Sequence, residues 1–109
     1  MRAFPKSIIF LSVCWDHKVK SCVNGHNLEK YSEKGIKECK SLCVERDGCV
    51  GFEYGVEFGG SSNYKKKARD CQLSSSINSD GCDGADLNLD LYIKIDCSTR
   101  GEFLGVKLQ

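Results

Sequence analysis

The sequence predicts an α+β domain: one helix packed against a mostly antiparallel sheet, stapled by disulfides. Three observations carry this. Cys39-Lys-Ser-Leu-Cys43 lies in a stretch of helical spacing, with Cys49 close behind it. Directly after Cys49, Val50, Phe52, Tyr54, Val56 and Phe58 alternate with Gly51, Glu53, Gly55 and Glu57, the period of a strand with one buried face. Near the end, Ala85, Leu87, Leu89, Leu91, Ile93, Ile95 and Cys97 share one parity, and Asp86, Asn88, Asp90, Tyr92, Lys94 and Asp96 share the other. So long a period-2 pattern argues a strand with one wet face, hence an antiparallel sheet.

Composition supports a single stapled domain. Of 109 residues, 40% are hydrophobic and 28% charged, so the core is modest and needs covalent help. Eight cysteines supply it, a density characteristic of oxidising compartments. The net charge of +1 gives no reason to expect a nucleic-acid partner. Arg2 and Lys6 followed by the apolar run Ser7 to Cys14 read as a secretory leader over residues 1–14, with Ser12 and Cys14 as the small residues before a cleavage point. The competing reading makes this segment a strand of the mature domain. No other stretch is long and apolar enough to span a bilayer, so no membrane insertion is expected.

Taken in order, Val19 to Val23 reads as a first strand, turning at Asn24-Gly25, and His26 to Tyr31 as a second. Ile36 to Arg46 is helical: Ile36, Cys39 and Cys43 form one face with Leu42 beside them, and Lys37, Glu38, Lys40, Ser41 and Glu45 fall largely on the other. Ser32 is a candidate N-cap for an early start, and Asp47-Gly48 stops the helix. Val50 to Phe58 is the third strand and Gly59 to Asn63 a loop. Ala68 to Leu73 is a short strand around Cys71, Ser74 to Gly84 a polar loop, and Ala85 to Cys97 the last strand. Residues 99–109 read as a tail, an edge strand or a linker.

The run Cys39-x3-Cys43-x5-Cys49-Val-Gly-Phe52-Glu-Tyr54, then Cys71-Gln-Leu73, then Asp90-Leu-Tyr92-Ile-Lys94, resembles the PAN/Apple domain family. Cys22, the Gly25-x-x-Leu28 segment and a closing Cys97 fit as well, so the resemblance covers most of the chain and sets the domain at residues 18–98. Each short motif alone is weak; their order and spacing together are more specific. The resemblance implies a sheet of about five antiparallel strands cradling one helix. It also implies two core bridges, Cys39–Cys71 and Cys43–Cys49, and a third joining the domain ends, Cys22–Cys97. Spacing alone does not choose among the connectivities open to six cysteines. In the chain-entropy model the Cys39–Cys71 closure is worth roughly 3–4 kcal/mol. Outside the pattern, Cys14 pairs with Cys82 as a fourth bridge if the leader is retained. If it is cleaved, Cys82 is odd and available for an intermolecular disulfide.

The remaining chemistry points to binding rather than catalysis. The cysteine spacing lacks paired C-x2-C knuckles, and His17 and His26 are not at ligand spacing from it, so zinc is not expected. No Gly-x-Ser-x-Gly, His-Glu-x-x-His or phosphate-loop motif occurs, and every core cysteine has a structural explanation, so neither an enzyme nor a cofactor is expected. Asp80, Asp83, Asp86 and Asp90 crowd one segment without the spacing of a calcium loop, and read as a solvated stretch. The sharpest candidate is Lys65-Lys66-Lys67-Ala-Arg69 beside Tyr64, a set of cations suited to sulfated or carboxylated glycans; the plain alternative is a solvated hairpin with Asp70 as partial compensation. Tyr92, on the polar parity, is either a further aromatic contact or ordinary cross-strand packing.

The sequence therefore predicts a secreted, extracellular, non-catalytic module. The resemblance implies an adhesive role, with an extracellular protein or carbohydrate as partner. A heparin-like glycan binder using Lys65 to Arg69 and a small secreted effector or inhibitor are the alternatives.

Overall fold

The computed structural model describes residues 12–97. Along them run β1 (Val13–Lys18), β2 (Asn27–Tyr31), α1 (Ile36–Glu45), β3 (Gly51–Gly55), β4 (Cys71–Ser74), the short α2 (Gly84–Leu87) and β5 (Leu89–Asp96). The strands form a five-stranded antiparallel sheet in the order β1-β5-β3-β4-β2. One main helix, this sheet and four disulfides make a small disulfide-rich α+β fold. The described residues divide into two compact units, His17–Ile93 and the pair of segments 12–16 and 94–97.

Helix α1 forms where the spacing predicts it. Its start is Gly35, not Ser32; the Gly35 N–H donates to the Glu38 carboxylate at 2.7 Å, closing the first turn. At the other end the Arg46 N–H is shared between the carbonyls of Leu42 and Cys43. Gly48, at φ +84°, then takes the left-handed conformation that the turn requires. Only Cys39 and Cys43 are buried on this helix, and Ile36 is 37% exposed, contrary to the expected apolar face. So thin a stripe gives little hydrophobic docking, and the Cys39–Cys71 and Cys43–Cys49 bridges hold the helix covalently instead.

Strand β3 lies at the centre of the sheet, and every residue of it is buried. Register separates two faces. On the helix side Phe52 pairs with Leu73 on β4 and Tyr92 on β5, and Tyr54 pairs with Cys71 and Asp90. Phe52 and Tyr92 stack with ring centroids 4.8 Å apart, and His17 stacks on Tyr92 at 4.2 Å. Fully burying a side chain such as Phe52 or Leu73 contributes about 1.5–3 kcal/mol. On the opposite side Glu53 pairs with Gln72 and Leu91, and Lys30 on β2 pairs with Gln72. Neither strand has the wet face that alternation suggests: Glu53, Asp90 and Tyr92 are all buried. The segment between β3 and β4 and the segment around Val23 cover the side away from the helix, while α1 covers the other.

Other expectations shift for identifiable reasons. Val19 to Val23 is not a strand; β1 lies earlier, and Lys20 turns the chain off the ladder with φ +56°, its N–H donating to Asp90 at 2.8 Å. The last strand begins at Leu89, not Ala85. Asp83 caps α2 by accepting from the Asp86 N–H, and Asn88 ends it in the left-handed region.

The bridges at Cys39–Cys71 and Cys43–Cys49 are those the family resemblance implies. The expected Cys22–Cys97 and Cys14–Cys82 bridges are replaced by Cys14–Cys97 and Cys22–Cys82. The cause is the position of β1 beside β5, where the Cys97 N–H donates to the Ser12 carbonyl and the Cα atoms of Cys14 and Cys97 stand 5.7 Å apart, within bridging range. Cys22 is carried past the end of β1 and meets Cys82 at 5.5 Å. Cys82 is therefore not an unpaired thiol for an intermolecular bond, and no cysteine is free. Residues 1–11 of the expected leader and the tail at 99–109 lie outside the described residues. The expected cut after Cys14 would fall inside β1 and remove a half-cystine.

Candidate functional site

The basic cluster Lys65 to Arg69 lies on the segment that leaves β3 at Gly55 and returns into β4 at Cys71. Its backbone is tied down along most of its length. Two glycines let it lie close to its support. A Cβ on Gly55 would stand 1.8 Å from the Lys67 carbonyl oxygen, and one on Gly60 would stand 2.1 Å from that of Asp86. Asn88, at φ +62°, works as a clamp: its Oδ1 accepts from the N–H groups of Phe58 and Gly60 at 3.2 and 2.9 Å, and its Nδ2 donates to the Lys66 carbonyl at 3.4 Å. Asp86 Oδ1 accepts from both the N–H and the hydroxyl of Ser61. The Ser61 hydroxyl, more than any other neighbour, holds the Asp86 carboxyl below its ordinary range. Farther on, the Lys66 N–H donates to the Leu87 carbonyl at 2.8 Å and the Arg69 N–H to that of Gly55 at 3.0 Å.

With the backbone held, the side chains face outward. Tyr64 is 78% exposed, and Lys65, Lys67 and Arg69 are exposed as well. Asp70, the expected compensating charge, turns its carboxylate to the Lys67 N–H at 3.0 Å, bracing the turn. The Arg46–Glu29 ion pair and the His17–Asp90 hydrogen bond use none of the loop's cations. Lys66 differs from its neighbours: it is half-buried and lines two adjoining cavities on the side of the sheet away from the helix.

The first cavity, of about 160 Å³, is lined by Tyr64, Lys66, Glu53, Gln72, Asn24 and Asn27, among others. The second, of about 150 Å³, is lined by Lys30, Tyr31, Ser32, Lys66, Asp70 and Gln72. Lys66 and Gln72 line both, so the groove along the foot of the basic loop is in two parts that share these side chains as a wall. Glu53 lies beneath it, 1% exposed. Its Oε2 accepts from the Val23 N–H at 2.7 Å, and its Oε1 from the Gln72 amide at 3.2 Å. Burial pushes the Glu53 carboxyl up to about 7, against the opposing pull of the Val23 N–H, Lys66, Gln72 and Lys30.

Of the residues singled out from the sequence, Tyr64 and Lys66 meet at the groove, while Lys65, Lys67 and Arg69 are exposed on the same loop without lining either cavity. Glu53, Gln72 and Lys30 escaped the sequence reading. Alternation puts Glu53 on a wet parity, yet that parity reads Gly51-Glu53-Gly55, and glycines flanking a mid-strand carboxylate signal that another segment lies over it. The crowded aspartates serve the fold: Asp83 caps α2, Asp86 holds Ser61, and Asp90 accepts from Lys20 and His17. Tyr92 is buried cross-strand packing between His17 and Phe52. Among the described residues, no group of three or more His, Cys, Asp or Glu is placed to hold a metal ion, and no helix is long and apolar enough to cross a membrane.

No family model, no curated protein and no solved structure matches the chain.

Proposed function

We propose that the chain is a secreted, non-catalytic recognition module of the PAN/Apple kind, and that it binds acidic glycans through the Tyr64–Arg69 loop. Recognition of protein or carbohydrate is what the resemblance implies for the module; the loop favours carbohydrate carrying sulfate or carboxylate. One observation carries the reading: a backbone held by Asn88 and Asp86 presents Lys65, Lys67 and Arg69 outward, with their charges outside the Arg46–Glu29 ion pair, beside an exposed Tyr64. A pre-organised loop loses little entropy on binding. Arginine offers a planar fork to sulfate or carboxylate, lysine a mobile point charge, and tyrosine a face for a sugar ring. Four disulfides in so short a chain support an oxidising compartment, and with it an extracellular ligand.

The test is retention on immobilised heparin across a salt gradient, with the refolded disulfide-bonded chain. Retention above about physiological salt, lost in Lys65→Ala/Lys67→Ala/Arg69→Ala, is expected. A wild-type chain that passes through unretained, or a triple variant that elutes with it, defeats the proposal.

A further inference from the structure

We infer that the groove between Lys30 and Lys66 is the seat for one acidic sugar residue of the glycan, and that Glu53 beneath it takes up a proton when that residue binds. This rests on the glycan reading of the loop and adds a specific seat and a linked proton to it.

The geometry brings opposite charges to one small space. Lys66 descends from the basic loop, Lys30 rises from β2, and the paired residue Gln72 lies between them on β4. An anionic group entering between the two ammonium groups, in the second cavity, meets the amide of Gln72, while Asn24, Asn27 and the ring of Tyr64 line the first cavity on the other side of Lys66 and Gln72. Each of the two cavities, at about 160 and 150 Å³, is of the size of a single sugar ring, not of a chain.

Glu53 decides when the seat is open. As a carboxylate it engages the field of both lysines and repels a second anion above it. As a neutral acid it leaves both lysines to the ligand. The groups that face it are known from every side. Gln72 comes from β4, the Val23 N–H from the segment after β1, Lys66 from the loop and Lys30 from β2. Across the register on β5 lies apolar Leu91, and Leu87 and Leu89 line the cavity. Asp70, in the second cavity, spends its carboxylate on the Lys67 N–H. Tyr31, also there, donates to Glu29. Because burial already lifts the Glu53 carboxyl to about 7, an added negative charge lifts it further and draws a proton from solvent at neutral pH. The two Glu53 hydrogen bonds limit the rise, since both favour the charged form.

The probe is a heparin hexasaccharide, titrated calorimetrically at about pH 7 in buffers of differing ionisation heat. The expected result is net proton uptake of up to about half a proton per chain at pH 7, approaching one at about pH 8, with affinity falling up to about tenfold per unit as pH rises above neutrality and levelling off below it. Glu53→Gln should bind tightly at all these pH values with no uptake, and Lys30→Ala should weaken binding while leaving the loop's cations in place. Binding without proton uptake in the wild type overturns the inference while leaving the glycan reading intact. Uptake that persists in Glu53→Gln also overturns it, since the proton then goes to another group. Absence of any binding by the wild type refutes the glycan reading itself, and the seat with it. A non-reducing peptide map of each variant verifies the four bridges.

Discussion

On the helix side of β3 and β4 the buried groups are Phe52, Tyr54, Leu73 and the Cys39–Cys71 bridge; on the other side of the same two strands they are Glu53 and Gln72. Both faces exclude water to a similar degree, by different means. The first is closed by a helix bonded covalently to the sheet, with a stack of rings between. The second is closed by segments without regular structure, hung from Asn88, Asp86 and the Val23 N–H. Apolar packing there is replaced by hydrogen bonds around a carboxyl that burial makes reluctant to ionise. Apolar packing closes one face and hydrogen-bonded polar groups the other, and the division runs through the plane of one sheet.

The strongest challenge to this contrast is Phe52→Ala. It removes the ring at the middle of the helix-side stack and should cost about 3–5 kcal/mol in urea unfolding. A loss below ~1 kcal/mol would mean that the ring stack does not carry the helix side. Next comes the pH response of the other face. The Glu53 carboxyl is raised from 4.5 to about 7, so the protonated form favours the fold. That contribution is complete below about pH 4.5 and is lost as pH rises through about 7, by an amount on the order of 3 kcal/mol at most. Glu53→Gln should flatten the stability curve across this window, as measured by unfolding at several pH values. An unchanged slope would show that Glu53 ionises without penalty.

Asn88→Gly sharpens the contrast further, because glycine tolerates φ +62° and removes only the clamp. A cost of about 1–3 kcal/mol is expected, with amide exchange at Phe58 and Gly60 accelerating while Phe52 stays protected. Equal acceleration at Phe52 would mean that the two faces open together. Smallest of all, Lys65→Ala/Lys67→Ala should leave stability within about 0.5 kcal/mol of the wild type. A larger change would assign these exposed cations to the fold rather than to a ligand.

Much of the architecture was legible in the residues. Helical spacing of Cys39 and Cys43 located α1, and alternation located β3 and most of β5. The limits of alternation are equally instructive. It reports which side chains differ, not which face is wet, and in a strand flanked on both sides Glu53 and Asp90 are buried by neighbours distant in sequence. The start of β5 was hidden because α2 uses the same residues in a helical turn, stopped by the left-handed Asn88. The end bridge that the resemblance implies, Cys22–Cys97, does not form because β1 precedes Cys22 and leaves Cys14 beside Cys97. The basic loop was visible as composition. The groove was not, since it arises from Lys30, Glu53, Lys66 and Gln72 on four separate segments.

The link between Cys14 and Cys97 has a mechanical corollary. Tension arriving through polypeptide upstream of one and leaving downstream of the other passes across a single sulfur–sulfur bond. The 82 residues enclosed between them, from a separation of 83, are short-circuited out of the load path. A chain stretched in a string of tethered units would thus keep its basic loop unstrained until that bond is reduced.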